Sequence, residues 1–149
     1  MSKQNPIEAQ KLIELLGLVR HPEGGWYCRT FEDKDANDKR AKSTAIYYLL
    51  QKGERSHWHR VDAAEIWHYY GGAPLELAIS ADGQSKTQAI LGNDFAAGHF
   101  PQVIVKKGEW QSATSLGNWT LCGCTVAPGF EFDGFEMAHE GWEPLSPKK

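Results

Sequence analysis

The apolar positions follow two different periods along this chain. From Ile7 to Leu16 they recur at helical spacing, with Ile7, Leu12, Ile13, Leu15 and Leu16 forming a stripe. Asn5 as N-cap, Pro6 at the first helical position and Glu8 three residues after the cap predict a helix over about 6–17. Gly17 supplies its stop, and His21-Pro22-Glu23-Gly24-Gly25 is a turn that no helix tolerates. Beyond this point the helical period disappears. Short β-branched and aromatic segments take over, at 25–31, 43–50, 57–59, 65–70, 75–80, 87–91, 102–105, 111–113, 120–127 and 130–138. About ten closely spaced strands predict an all-β sandwich or barrel over about 25–138, within one domain spanning 1–149. The Asp-, Lys- and Asn-rich stretch 31–42 reads as a surface loop.

Charge and cysteine content narrow the function classes. A formal charge of −3 without a dense Lys/Arg run argues against a nucleic-acid groove. No apolar run resembles a signal peptide or a membrane span, and an odd cysteine count of three suits a reducing compartment, so the expected location is cytoplasmic. Cys122 and Cys124 share one face of a strand and read as small buried residues.

The chemistry concentrates in His57-Trp58-His59-Arg60-Val61-Asp62-Ala63-Ala64-Glu65. On a regular strand His57 and His59 point the same way, and a turn over 61–64 returns Glu65 to the same cavity, giving an N, N, O set suited to a metal ion. A surface histidine pair beside a solvated glutamate is the plainer alternative. Trp67 and Tyr69 share the parity of Glu65 and are expected inside, Arg60 and His68 on the opposite face, and Trp110 at the mouth. His21, Glu23 and Arg29 lie near the glycine turn and either reach the cavity or a partner subunit, or serve as turn and surface residues. His99 and His139 have no ligand pattern around them.

Gly53, His57-x-His59, Glu65 and Gly71 resemble the first motif of the cupin superfamily, although five residues separate His59 from Glu65 where three or four are usual. Lys106-Lys107-Gly108-Glu109-Trp110-Gln111 resembles the second motif, with Gln111 in the place of a third histidine. His21 to Trp26, Thr44 to Leu50, Glu65 to His68 and Val126 to Phe130 extend the likeness to the cupin-5 family. The resemblance implies a double-stranded β-helix, a homodimer, and a pocket for a small molecule. It also implies similarity to sugar-nucleotide epimerases that use no metal, with a histidine base and a tyrosine acid. Three expectations follow. In the first, the chain is an isomerase or epimerase on a sugar-derived or small carbonyl compound, with His59 as base, Glu65 orienting it, Tyr69 or Tyr47 as acid, and Trp67, Tyr47, Trp110 and Arg29 binding substrate. In the second, His57, His59, Glu65 and Gln111 hold one divalent ion such as Zn, Ni, Fe or Mn, with Gln111 the weakest donor. In the third, the pocket binds a metabolite without catalysis.

Overall fold

The computed structural model describes residues 7–147. Its elements in chain order are α1 (Ala9–Leu16), β1 (Val19–Arg20), β2 (Trp26–Asp33), β3 (Ser43–Gln51), β4 (Arg55–Val61), β5 (Ala64–Gly72), β6 (Leu75–Ser80), β7 (Ser85–Leu91), β8 (Gln102–Val105), β9 (Trp110–Ser115), β10 (Trp119–Ala127), β11 (Phe135–Met137) and β12 (Ser146–Pro147). Two six-stranded sheets form a jelly roll, ordered β1-β2-β3-β10-β5-β8 and β11-β4-β9-β6-β7-β12. All pairings are antiparallel except that of β12 with β7.

The proposed cap at Asn5 and Pro6 lies outside the described residues. The helix itself starts at Ala9, with Glu8 in an extended conformation, so the start at 6 shortens to 9. Its end matches the expectation: Gly17 is left-handed, and the Leu18 N–H closes back on the Ile13 carbonyl at 2.9 Å. Leu18, Ile13, Ala9 and Leu49 form a buried cluster that seats the helix on the outer face of the first sheet, together with Tyr47, Trp119 and Leu121. Full burial of Ile13 alone stabilises the seat by roughly 1.5–3 kcal/mol.

Cross-strand rows fix which side chains face between the sheets. One inner row runs Glu32, Thr44, Val126, Glu65, Val105, and the next runs Arg29, Ile46, Cys124, Trp67, Val103. The intervening row, Phe31, Ala45, Thr125, Ile66, Ile104, faces outward, as does the row beyond, Cys28, Tyr47, Gly123, His68, Gln102. Aromatic and aliphatic residues of the inner rows, among them Tyr48, Trp67, Leu75, Leu77 and Leu91, fill one end of the sandwich as the main core. The other end is left open as a cavity.

Two local features depart from the sequence reading. The strand expected over 130–138 breaks into a 3-10 turn, Phe132–Gly134, followed by the three-residue β11. Gly134 packs on the Asp62 carboxylate, where any Cβ would collide. The strand expected to end at Phe31 continues to Asp33, because a bulge between Arg29 and Phe31 absorbs one residue. That bulge keeps both Arg29 and Glu32 directed at the cavity, where they pair at 3.0 Å.

Candidate functional site

A second bulge decides which histidine enters the cavity. Ser56 pairs with Ala113 and His59 with Gln111, so His57 and Trp58 together stand opposite the single residue Ser112. The extra residue inverts the alternation, bringing Ser56 and His59 to the inner face. Trp58 turns away from the cavity to pack on Trp142, and the His57 Nε2 lies 3.1 Å from the carbonyls of both Ala138 and His139. The expected convergence of His57 with His59 therefore does not occur.

The partner of His59 is Glu23, where the sequence pointed to Glu65. His59 Nε2 lies 2.7 Å from Glu23 Oε2, and both side chains are buried. The contact is an ion pair without an aligned hydrogen bond, since Glu23 Oε2 has no hydrogen-bond partner. On its other side the ring meets the His57 carbonyl, 2.7 Å from Nδ1. The His57 carbonyl takes the Nδ1 proton, and the negative charge of Glu23 facing Nε2 favours a proton there too, so the ring is held as an imidazolium. Burial opposes that charge, but the Glu23 carboxylate outweighs it and the pKa of His59 is raised to about 9. Glu23 moves reciprocally: burial pushes its carboxyl up, while the facing imidazolium wins and holds it below its ordinary value.

The glycine turn delivers Glu23 to this position. Gly24 and Gly25 have φ of 110° and 78°. A Cβ on Gly24 would run into the Arg55 carbonyl, and one on Gly25 would sit 2.8 Å from the Leu49 oxygen. The turn thus presses against β3 and β4. His57 N–H donates to the Glu23 carbonyl at 2.8 Å, and the Tyr48 hydroxyl donates to the Gly24 carbonyl. His21, first residue of the turn, accepts the Glu23 backbone N–H on Nδ1 at 3.1 Å. Burial lowers the pKa of His21 against the attraction of Glu23, and the His59 charge adds to the lowering.

Glu65 stands on the opposite wall. Gln111 Nε2 donates to its Oε1 at 2.8 Å, and the Trp67 indole N–H donates to Gln111 Oε1 at 2.7 Å. Because an indole nitrogen only donates, Trp67 fixes the amide with its NH₂ toward Glu65. Burial raises the Glu65 carboxyl to about 7; the His59 charge works against this and Glu23 adds to it.

The cavity holds about 620 Å³, within the range of small-molecule sites. His21, Glu23, Tyr27, His59, Glu65 and Cys124 line its polar side. Phe130, Phe132 and Phe135 form an aromatic wall, their ring centroids 5.0–6.0 Å apart. This wall is anchored by Arg40, which donates to the Gly129 carbonyl at 2.7 Å and pairs with Asp62. Arg29 and Lys34 contribute cationic groups to the lining.

Of the residues expected at the site, the structure brings His59, Glu65 and Arg29 to the cavity; Gln111 and Trp67 stand behind Glu65, outside the lining, and Trp67 belongs to the core instead of contacting a substrate. The structure separates the others. Tyr47 lies on the outer face beneath the helix, against Tyr70. Tyr69 packs on the main core and donates to the Gly72 carbonyl at 2.6 Å, clear of the cavity. Trp110 stacks near Trp142, with the Arg60 guanidinium 4.6 Å above its ring, away from the cavity mouth. Arg60 and His68 are outside the cavity, as expected from parity. Tyr27 and the three phenylalanines were not foreseen; the alternation of β2 places Tyr27 two residues before Arg29, so its parity was available as a signal.

The arrangement does not fit a divalent cation. Both nitrogens of His59 are committed to acceptors, the Gln111 oxygen is taken by Trp67, and His57 has left. Among the described residues, no three His, Cys, Asp or Glu side chains converge as a ligand set. Nor is any described helix long and apolar enough to cross a membrane.

Comparison with known proteins agrees with this architecture. The chain is 28% identical to the uncharacterized protein YML079W of Saccharomyces cerevisiae, covering 86% of this chain and 74% of that one. The structure is similar to that of protein SO0799 from Shewanella oneidensis, with a TM-score of 0.85 at 38% identity over 89% of this chain and 85% of that one. It is also similar to a hypothetical protein from Leishmania major, with a TM-score of 0.81 at 27% identity over 91% and 90% of the two chains. Oxalate decarboxylase of Bacillus subtilis shares the fold alone, with a TM-score of 0.62 at 12% identity, over 80% of this chain and 29% of that one. Residues 10–138 match the model of Cupin_5, described as cupin superfamily (DUF985), and the chain belongs to that family.

Proposed function

We propose that this cupin is an isomerase- or epimerase-type enzyme that moves a proton on a carbon next to the carbonyl of a small or sugar-sized compound. One observation carries the reading: Glu65 is a buried carboxyl on the wall of the cavity, with Gln111 its side-chain donor, and burial raises its pKa to about 7. Such a group both accepts and returns a proton at neutral pH. It replaces His59 in the role of base, because His59 has no lone pair to offer while Glu23 and the His57 carbonyl hold its two nitrogens. In the step itself the Glu65 carboxylate takes the proton from carbon, the C–H electron pair moves toward the carbonyl oxygen, and the resulting carboxylic acid returns a proton to carbon. Return to the other face, after the bound intermediate turns over in the cavity, inverts the centre; return to a neighbouring hydroxyl-bearing carbon moves the carbonyl as that hydroxyl's proton passes to the former carbonyl oxygen. The His59 imidazolium partly offsets the cost of ionising Glu65.

The test is solvent deuterium uptake into dihydroxyacetone, D-fructose and a nucleotide-linked keto sugar, with binding followed by calorimetry. The reading expects uptake at a carbon adjacent to the carbonyl in the wild type, abolished in Glu65→Gln while binding persists. Binding without uptake makes the protein a non-catalytic binder. Uptake that survives Glu65→Gln removes Glu65 from the reaction.

A further inference from the structure

We propose that His21 is a second catalytic residue, whose neutral imidazole donates Nε2–H to the carbonyl oxygen of the bound compound as negative charge develops there. The proposal rests on the reading of Glu65 as the proton-moving group. Its basis is a tautomer that the backbone imposes. The Glu23 backbone N–H can only donate, and it points at His21 Nδ1 at 3.1 Å. That nitrogen must therefore be bare, and the ring proton resides on Nε2.

His21 Nε2 has no protein partner among the described residues, yet it is not among the buried polar atoms left without one. It is open to the cavity that His21 lines. The ring is held from several sides, with Tyr27 in edge contact at 4.5 Å between centroids and Tyr48 at 5.8 Å. Phe132 and Phe135 approach at 6.4 Å. A fixed ring with one unspent N–H, in a largely apolar enclosure, suits an oxygen whose charge rises during reaction. The Glu23 carboxylate is 3.5 Å from Nδ1, where the backbone N–H already occupies the lone pair, and its charge is matched by His59. A neutral donor does not protonate the oxygen outright, so the electron pair can return to carbon when Glu65 gives its proton back.

Two measurements on the full chain test this. In the first, nitrogen-15 NMR of the ligand-free protein at pH 7.5 is expected to show His21 protonated at Nε2 and bare at Nδ1. The opposite tautomer, or an imidazolium, overturns the proposal whatever the activity. In the second, deuterium uptake into dihydroxyacetone is compared among the wild type, His21→Phe and His21→Gln. Loss of the donor is expected to slow uptake about 100-fold in His21→Phe. His21→Gln, which retains an N–H, is expected to recover about tenfold of that loss. Unchanged uptake in His21→Phe, or equal losses in both variants, overturns the proposal while leaving Glu65 in place. If the wild type exchanges no deuterium, the Glu65 reading falls. The His21 donor is then decided by titration with dihydroxyacetone: displacement of the Nε2–H resonance supports it, and an unmoved resonance overturns it.

Discussion

Glu23 Oε2 and His59 Nε2 meet 2.7 Å apart at the inner end of the cavity, joining the glycine turn to a strand of the opposite sheet. Two ions so thoroughly buried depend on each other, because neither has water to replace its partner. Glu23→Gln is therefore expected to cost about 3–5 kcal/mol, the usual penalty for stranding one member of a buried pair. Denaturant unfolding at pH 7 checks this. A loss below about 1 kcal/mol would mean the two charges are solvated in solution.

The same pair gives stability a definite pH dependence. His59 has a folded pKa of about 9 against an ordinary 6.5, so its contribution is complete below 6.5 and disappears as pH rises through 9. Glu65, raised to about 7 from 4.5, likewise contributes fully below 4.5 and loses its contribution as pH rises through 7. His21 and Glu23, both lowered, act in the other direction: their contributions fade as pH falls below 6.5 and 4.5 respectively. Unfolding free energies from pH 5 to 10 are expected to decline on the alkaline side, with the part between 6.5 and 9 abolished in Glu23→Gln. A wild type that gains stability from pH 7 to 9 would contradict the assignment.

The bulge in β4 makes two neighbouring histidines unequal. His57→Ala removes only the contacts of Nε2 with the Ala138 and His139 carbonyls, and is expected to cost about 1 kcal/mol with no change in ligand binding. His59→Ala leaves Glu23 buried without its counter-charge, and is expected to cost several times more and to weaken binding in the cavity. Parallel unfolding and calorimetric titrations separate the two. Equal effects would place both rings in one site.

These histidines also show how far the sequence could be read. Alternation put Glu65 and Trp67 inside and His68 outside, and the paired registers agree. Hydrophobic period and turn residues located α1 and most strands. A bulge adds one residue without a distinctive signature, so the step from Ser56 to His59 concealed the loss of His57 from the cavity. Glu23 was legible as a residue that could reach the cavity, but its pairing with His59 was obscured because the two lie far apart in sequence, and only the folded turn reveals why Gly24 and Gly25 follow it. Tyr47 and Trp110 failed because strand parity and side-chain partners, and not residue type, decide which aromatics face a cavity.

The Trp67–Gln111–Glu65 chain sets how readily the acid ionises. Gln111→Leu deletes the N–H that favours the Glu65 carboxylate, an interaction of about 1.5–3 kcal/mol for a charged acceptor. The Glu65 titration is expected to move above 7, and the pH profile of deuterium uptake with it. Trp67→Phe frees the amide to turn its oxygen toward Glu65, and is expected to move both readouts in the same direction. A profile unmoved in both variants would separate Gln111 from the acid.

Carbon-13 NMR of glutamate-labelled protein, with Glu65 assigned through Glu65→Gln, measures the titration of this carboxyl directly. A midpoint near pH 7 is expected for a buried acid that can take up and release a proton in the cavity at neutral pH. A midpoint in the ordinary range near 4.5 would leave Glu65 a permanent carboxylate and contradict its assignment as the proton-moving group.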